Sequence, residues 1–141
     1  MPKIRADLKN YKRAFTKHAY TYDRWNDGSK ISQRMILCYC VECGLKCLIM
    51  QDNCITKISQ ANEDIVAILG SHNLKNLLKE VGQAGNFKLV SFHTEFGEEV
   101  DPSQFHQFCR YCIEAKQSDL DKINNLEEEL NSVKEWLKEV I

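Results

Sequence analysis

Between Ile31 and Gln51 the chain is almost free of polar interruption: Met35 to Val41 is an unbroken apolar run, and Leu45, Cys47, Leu48, Ile49 and Met50 follow. A helix with so little polar surface is buried on most of its sides, so other elements must pack around it. Its few polar residues, Arg34, Glu42 and Lys46, project within about 120° of one another at 100° per residue, which predicts one narrow wet strip. Glu42 and Lys46 also stand at i, i+4, the spacing of a helical ion pair. The 141 residues, 43% hydrophobic and 28% charged, are enough to surround such a helix within one domain spanning residues 1–141. No apolar run approaches the roughly 18–20 residues of a bilayer span. Met1-Pro2-Lys3-Ile4-Arg5 has no apolar stretch of the secretory type, so the expectation is a cytoplasmic chain.

The surrounding elements also read as helices. Ile4, Leu8, Tyr11, Phe15, Ala19 and Tyr22 trace one face of an amphipathic helix over about 3–23, with Lys9, Lys12, Arg13 and Lys17 opposite. Asn26-Asp27-Gly28-Ser29 is a turn cluster. A short helix near 60–69 takes Ser59 or Asn62 as its cap and stops at Gly70; another opens at Ser71-His72-Asn73 and stops at Gly82. Residues 83–101 are irregular and rich in glycine and aromatics, and read as a loop. Asp101-Pro102-Ser103 then starts a helix running through Phe105, Phe108, Cys109, Cys112 and Ile113. The closing helix, about 118–141, carries Leu120, Ile123, Leu126, Leu130, Val133, Leu137 and Val140. The predicted fold class is all-α, an up-and-down bundle of five or six helices.

The net charge of −1 hides an asymmetry. Residues 1–34 hold nine Lys/Arg against three acids, and residues 117–141 hold seven acids against three lysines. A basic first helix can attract RNA through Lys9, Lys12 and Lys17, or pair with the acidic closing helix of the same chain or of a second copy.

Seven cysteines, an odd number in a chain expected in the cytosol, argue against a disulfide framework. Cys40-x-x-Cys43 and Cys109-x-x-Cys112 form a CxxC…CxxC pattern that could offer four thiolates to zinc. Both pairs fall in periodic helices, where small core residues at i, i+3 look the same, and core packing is the preferred reading.

Among the histidines, His106 stands four residues before Arg110. That spacing puts an acid/base group and a permanent cation on one helix face, the combination that handles a phosphodiester. A weaker pair, Arg13 and His18, lies about 140° apart around a straight helix. His72 at a helix start reads as a turn contact, and His93 lies in the irregular stretch.

Leu37-Cys-Tyr-Cys-Val-Glu-Cys-Gly-Leu-Lys-Cys-Leu48, followed by Ser71-His-Asn-Leu-Lys-Asn-Leu-Leu78, resembles the HEPN superfamily of small helical prokaryotic proteins. Phe105-His-Gln-Phe-Cys-Arg-Tyr111 resembles their aromatic-rich penultimate helix, and Trp136-Leu137 their closing helix. The resemblance covers about residues 10–141 and implies that the cysteines of the second helix occupy small core positions. It further implies a homodimer with an RNA-directed role in toxin–antitoxin or anti-phage defence systems, where many members are metal-independent endoribonucleases requiring no cofactor and others act with a partner protein. The family's nuclease signature is Arg-polar-x3–5-His in a late helix. This chain departs from it: no histidine follows Arg110, and Arg13–His18 sits on the first helix with Ala14 in the polar position. The alternatives are a catalytically inactive dimerisation or partner-binding module, and a zinc-stabilised nucleic-acid-binding domain. In the first reading His106 and Arg110 carry the chemistry, with Glu42 or Lys46 orienting them.

Overall fold

The structure, a computed structural model, describes residues 4–141. Six helices run in the order α1 (Leu8–Asp23), α2 (Lys30–Asp52), α3 (Glu63–Leu69), α4 (Leu74–Glu80), α5 (Phe105–Arg110) and α6 (Leu120–Val140). Two short strands, β1 (Phe92–His93) and β2 (Glu99–Val100), stand between α4 and α5. The chain is mostly helical, in line with the all-α expectation.

α2 is the hub. Leu37, Cys40, Val41, Leu45, Cys47 and Met50 are fully buried, and α1, α4, α5 and α6 all pack on it. Gly44 allows the closest approach: a Cβ there would stand 2.6 Å from the Phe15 ring and 2.7 Å from Leu137. The absent side chain thus lets α1 and α6 settle against α2 together. Volume added at such a point forces off-rotamer neighbours or backbone shifts.

Local chemistry explains where the helices begin. α1 starts at Leu8 and not near residue 3, because Asp7 is committed elsewhere: its N–H donates to Asn10 Oδ1 at 2.9 Å and its Oδ1 accepts from Ile58 N–H at 2.8 Å. Lys3, included in the expected helix, lies outside the described residues. Asn62, rather than Ser59, caps α3 by accepting from Ile65 N–H, and Asn73 caps α4 by accepting from Lys75 and Asn76 N–H.

Two sequence expectations are corrected. The stretch 83–101 is not all loop: β1 and β2 pair antiparallel, Phe92 opposite Val100 and His93 opposite Glu99. Phe92 anchors this hairpin, meeting the Phe105 and Phe108 rings edge-on at 5.7 and 4.8 Å. The helix expected to continue through Ile113 stops at Arg110. Cys112 takes φ of 52° while Ile113 N–H returns to Phe108 O and Cys112 N–H to Cys109 O, a Schellman-type stop. Among the described residues, no helix is long and apolar enough to cross a membrane.

A histidine pair on the polar face of α2

Tyr39, Glu42 and Lys46 recur at three- and four-residue steps, so α2 presents them on one face. The strip is not wet along its length. Lys46 is 5% exposed and its Nζ donates to Glu42 Oε2 at 3.0 Å, a correction to the sequence reading. A single helix reports which residues share a face but not which neighbour covers them. Arg34, placed on the same strip, turns instead to α6 and donates to Glu127 Oε1 at 2.7 Å.

Glu42 has a second partner. His72, immediately before the Asn73 cap of α4, brings Nδ1 to 3.1 Å from Glu42 Oε1 and 3.3 Å from Oε2. His72 is therefore more than a turn contact: the carboxylate fixes the ring through Nδ1, while the side chain stays 65% exposed. On the other side, the His106 ring from α5 stands with its centroid 5.8 Å from that of His72. His106 is half-buried, and burial followed by the Arg110 charge holds its pKa below the ordinary 6.5, with Glu42 pulling the other way. The lowering favours the neutral ring, the form that can accept a proton.

Arg110 lies one turn further along α5. It is exposed, donates from Nη2 to Tyr39 Oη at 3.3 Å, and stands 6.0 Å from the Tyr111 ring centroid. Tyr39 faces His18 from α1, with ring centroids 6.5 Å apart. The cluster thus draws on α1, α2, the turn that leads into α4, and α5. At its centre are the His72 and His106 imidazoles, a carboxylate that orients one of them, and the exposed Arg110 guanidinium.

The other candidates lie elsewhere. Arg13 is exposed on α1, whereas His18 is half-buried against Tyr39 and has its pKa lowered by burial. Lys9, Lys12 and Lys17 form an exposed basic face, and among the described residues none of them enters an ion pair. Cys40 and Cys109 are buried, and burial pushes both thiols up to about 12; that of Cys43 rises to about 11. Cys40 Sγ contacts Phe15 O at 3.6 Å. Cys112 does not belong to the core: it is exposed on the turn after α5, as Cys54 is after α2. Among the described residues, no group of three or more His, Cys, Asp or Glu side chains gathers as a metal site.

His93 has a structural partner. Asp119 Oδ2 accepts from His93 N–H at 2.7 Å and lies 2.9 Å from its Nδ1, tying the hairpin to the start of α6. That His93 hydrogen bond holds the Asp119 carboxyl below its ordinary pKa.

Of the residues singled out in the sequence, the structure brings His106, Arg110, Glu42 and Lys46 to one region, and it adds His72 and Tyr39, which the sequence did not place beside them. Comparison of the chain with protein-family models, with curated proteins and with solved structures returns no match.

Proposed function

We propose that the chain is a HEPN-like, metal-independent endoribonuclease, acting as a homodimer in a toxin–antitoxin or anti-phage defence role. The observation that carries this reading is the approach of His72 and His106, one ring held by Glu42 and the other followed one turn later by Arg110. Cleavage of RNA needs little more. His106 Nε2 or Nδ1 takes the proton of a ribose 2′-hydroxyl as that oxygen attacks the adjacent phosphorus. The bond from phosphorus to the 5′-oxygen breaks, and His72, oriented by Glu42, delivers a proton to the leaving oxygen. The products are a 2′,3′-cyclic phosphate and a 5′-hydroxyl, and Arg110 stabilises the charge that builds on the phosphoryl oxygens. Lys46 fixes Glu42, and the free basic face of α1, with Lys9, Lys12 and Lys17, supplies contacts to the RNA backbone.

Cleavage of RNA by the purified protein in EDTA is the test. His106→Ala and His72→Ala should each lose about 100-fold or more, the usual contribution of a positioned acid or base. Equal activity in wild type and His106→Ala overturns the assignment. A wild type that cleaves no RNA while forming a dimer in sedimentation leaves the inactive dimerisation or partner-binding module in its place.

A further inference from the structure

We infer that the hairpin tip at Phe96 is a docking anchor, and that its receptor is the lysine-flanked apolar cleft beside α4 on a second copy of the chain. The inference rests on the homodimer in the reading above and adds the surface through which two copies meet.

The tip is built to hold a phenyl ring in solvent. Buried Thr94 fixes the turn: its Oγ1 accepts from Phe96 N–H at 3.3 Å and from Glu98 N–H at 3.2 Å, its N–H donates to Glu98 O at 2.8 Å, and its carbonyl accepts from Gly97 N–H at 2.9 Å. Gly97 supplies the left-handed φ of 85° that closes the turn. Glu95 N–H donates in addition to Glu114 O at 2.9 Å. Phe96 is left 78% exposed on a turn that is bonded throughout. An anchor already fixed in place loses little conformational freedom on binding. Glu95, Glu98 and Glu99 flank the ring, all exposed, and among the described residues none of them enters an ion pair.

The cleft has the opposite character. Leu78, Ala84, Phe87 and Leu89 line it, and the charged residues of its lining are Lys75 and Lys88. Both lysines are exposed and, among the described residues, enter no ion pair. Phe87 rests against Trp136, with ring centroids 5.9 Å apart, so α6 backs the apolar floor. The cavity measures about 330 Å³, more than twice the roughly 150 Å³ of an apolar cavity that takes up benzene. A phenyl ring therefore fits its size, and the carboxylates around that ring meet the two ammonium groups. Leu89 and Phe96 stand seven residues apart, at most about 25 Å of extended backbone. A two-fold axis can use both features at once: the tip of each copy enters the cleft of the other, an isologous pairing that closes on the dimer. The ring is the buried anchor, and the charges at the rim set partner and orientation.

The experiment is sedimentation equilibrium of the purified protein over a range of concentrations, with RNA cleavage in EDTA followed alongside. Phe96→Ser should weaken the dimer at least about 30-fold, the fold-change of one hot-spot side chain. Charge reversal gives the sharper readout, because substitutions at these exposed positions leave the fold intact, as circular dichroism checks. The Glu95→Lys/Glu98→Lys protein and the Lys75→Glu/Lys88→Glu protein each set like charges against one another and should be monomeric alone. Mixed in equal amounts they should form heterodimers, in which both contacts are attractive. A dimer indifferent to Phe96→Ser, or a mixture that stays monomeric with both variants folded, overturns this surface and leaves the homodimer to another face. A monomeric wild type overturns the surface and the homodimer together. A dimer that depends on Phe96 but cleaves no RNA removes the histidine chemistry and keeps the interface.

Discussion

Two glutamates, Glu42 and Glu127, each gather several partners beside α2, and the difference between them separates scaffold from site. Glu127 on α6 accepts from Tyr22 Oη at 2.7 Å, Lys30 Nζ at 3.0 Å and Arg34 Nε at 2.7 Å. Arg34 donates further from Nη2 to Asn124 Oδ1 at 2.8 Å, so both members of the Arg34–Glu127 pair have additional partners within the chain. Nearby, Asp23 receives Lys134 and Lys138, and Lys134 lies 4.7 Å from the Tyr22 ring centroid. These contacts tie α1 and the start of α2 to α6. Glu42 has two partners to the three of Glu127, and one of them, His72, is 65% exposed and stands opposite a second imidazole. The saturated cluster closes on itself. The open one leaves His72 and Arg110 exposed, with the His106 ring beside the first.

The largest stability effect should therefore come from the saturated cluster. Glu127→Gln leaves Arg34 and Lys30 without their counter-charge and should cost about 3 kcal/mol, the low end for removing one partner of a buried pair, because Lys30 is largely exposed. Denaturant unfolding measures it; a loss below about 1 kcal/mol would reduce the cluster to an ordinary surface network. The acid dependence has a fixed sign. Burial opposes the charge on Glu127, but hydrogen bonds from Arg34, Tyr22 and Lys30 outweigh it and hold the pKa below the ordinary 4.5. As pH falls the unfolded chain binds this proton first, so the contribution is complete above about 4.5 and is lost as pH drops through the lowered value. Glu127→Gln should flatten that part of the acid-unfolding curve.

Most of the scaffold was legible along the chain because it is written in short-range periods. The buried α2, the amphipathic α1 and α6, and the starts of α3 and α4, narrowed to Ser59 or Asn62 and to Ser71-His72-Asn73, follow from residues three or four apart. The hairpin was not legible: strands of two residues each are too short for alternation to show, and their placement depends on Phe92 reaching the distant Phe105 and Phe108. The site divides in the same way. His106–Arg110 and Glu42–Lys46 are local spacings and were visible. The meeting of Glu42 with His72 spans 30 residues, and no period on α2 reports it. Burial of Lys46 was hidden for the same reason, since its cover is tertiary.

Backbone conformation provides a second contrast, of intermediate size. Among the described residues, none of the partners of Glu127 has a positive φ, whereas the helix that carries His106 and Arg110 ends on left-handed Cys112, with φ of 52°. An L-residue pays about 1–2 kcal/mol for that conformation, part of which glycine returns as unfolded-state entropy. Cys112→Gly should accordingly raise stability by about 1 kcal/mol, read as a higher denaturation midpoint at unchanged slope. The thiol is exposed and belongs to no cluster, so RNA cleavage should be unaffected. A destabilised Cys112→Gly would show that the turn holds Cys112 by contacts beyond its backbone.

The smallest stability effect belongs to His72, the residue to which the proposed cleavage gives the proton delivery. His72→Ala removes an exposed side chain from the surface end of the Glu42 cluster, and Lys46 Nζ at 3.0 Å keeps the carboxylate paired. Stability should change by no more than about 0.5 kcal/mol, the range of surface substitutions. His106 titrates within the same site, and the sign is set by its lowered pKa, which comes chiefly from burial and then from Arg110. Below about 6.5 the unfolded chain binds that proton more readily than the folded one, so wild type should lose a little stability as pH falls through this window and keep all of it above. His72→Ala removes one of the groups that oppose protonation of His106 and should shrink that loss slightly, an effect measurable from unfolding midpoints at pH 5 and pH 8. A His72→Ala protein destabilised as strongly as Glu127→Gln would make the open cluster a second scaffold. Stability retained together with a loss of RNA cleavage would separate the two clusters by what each is built to do.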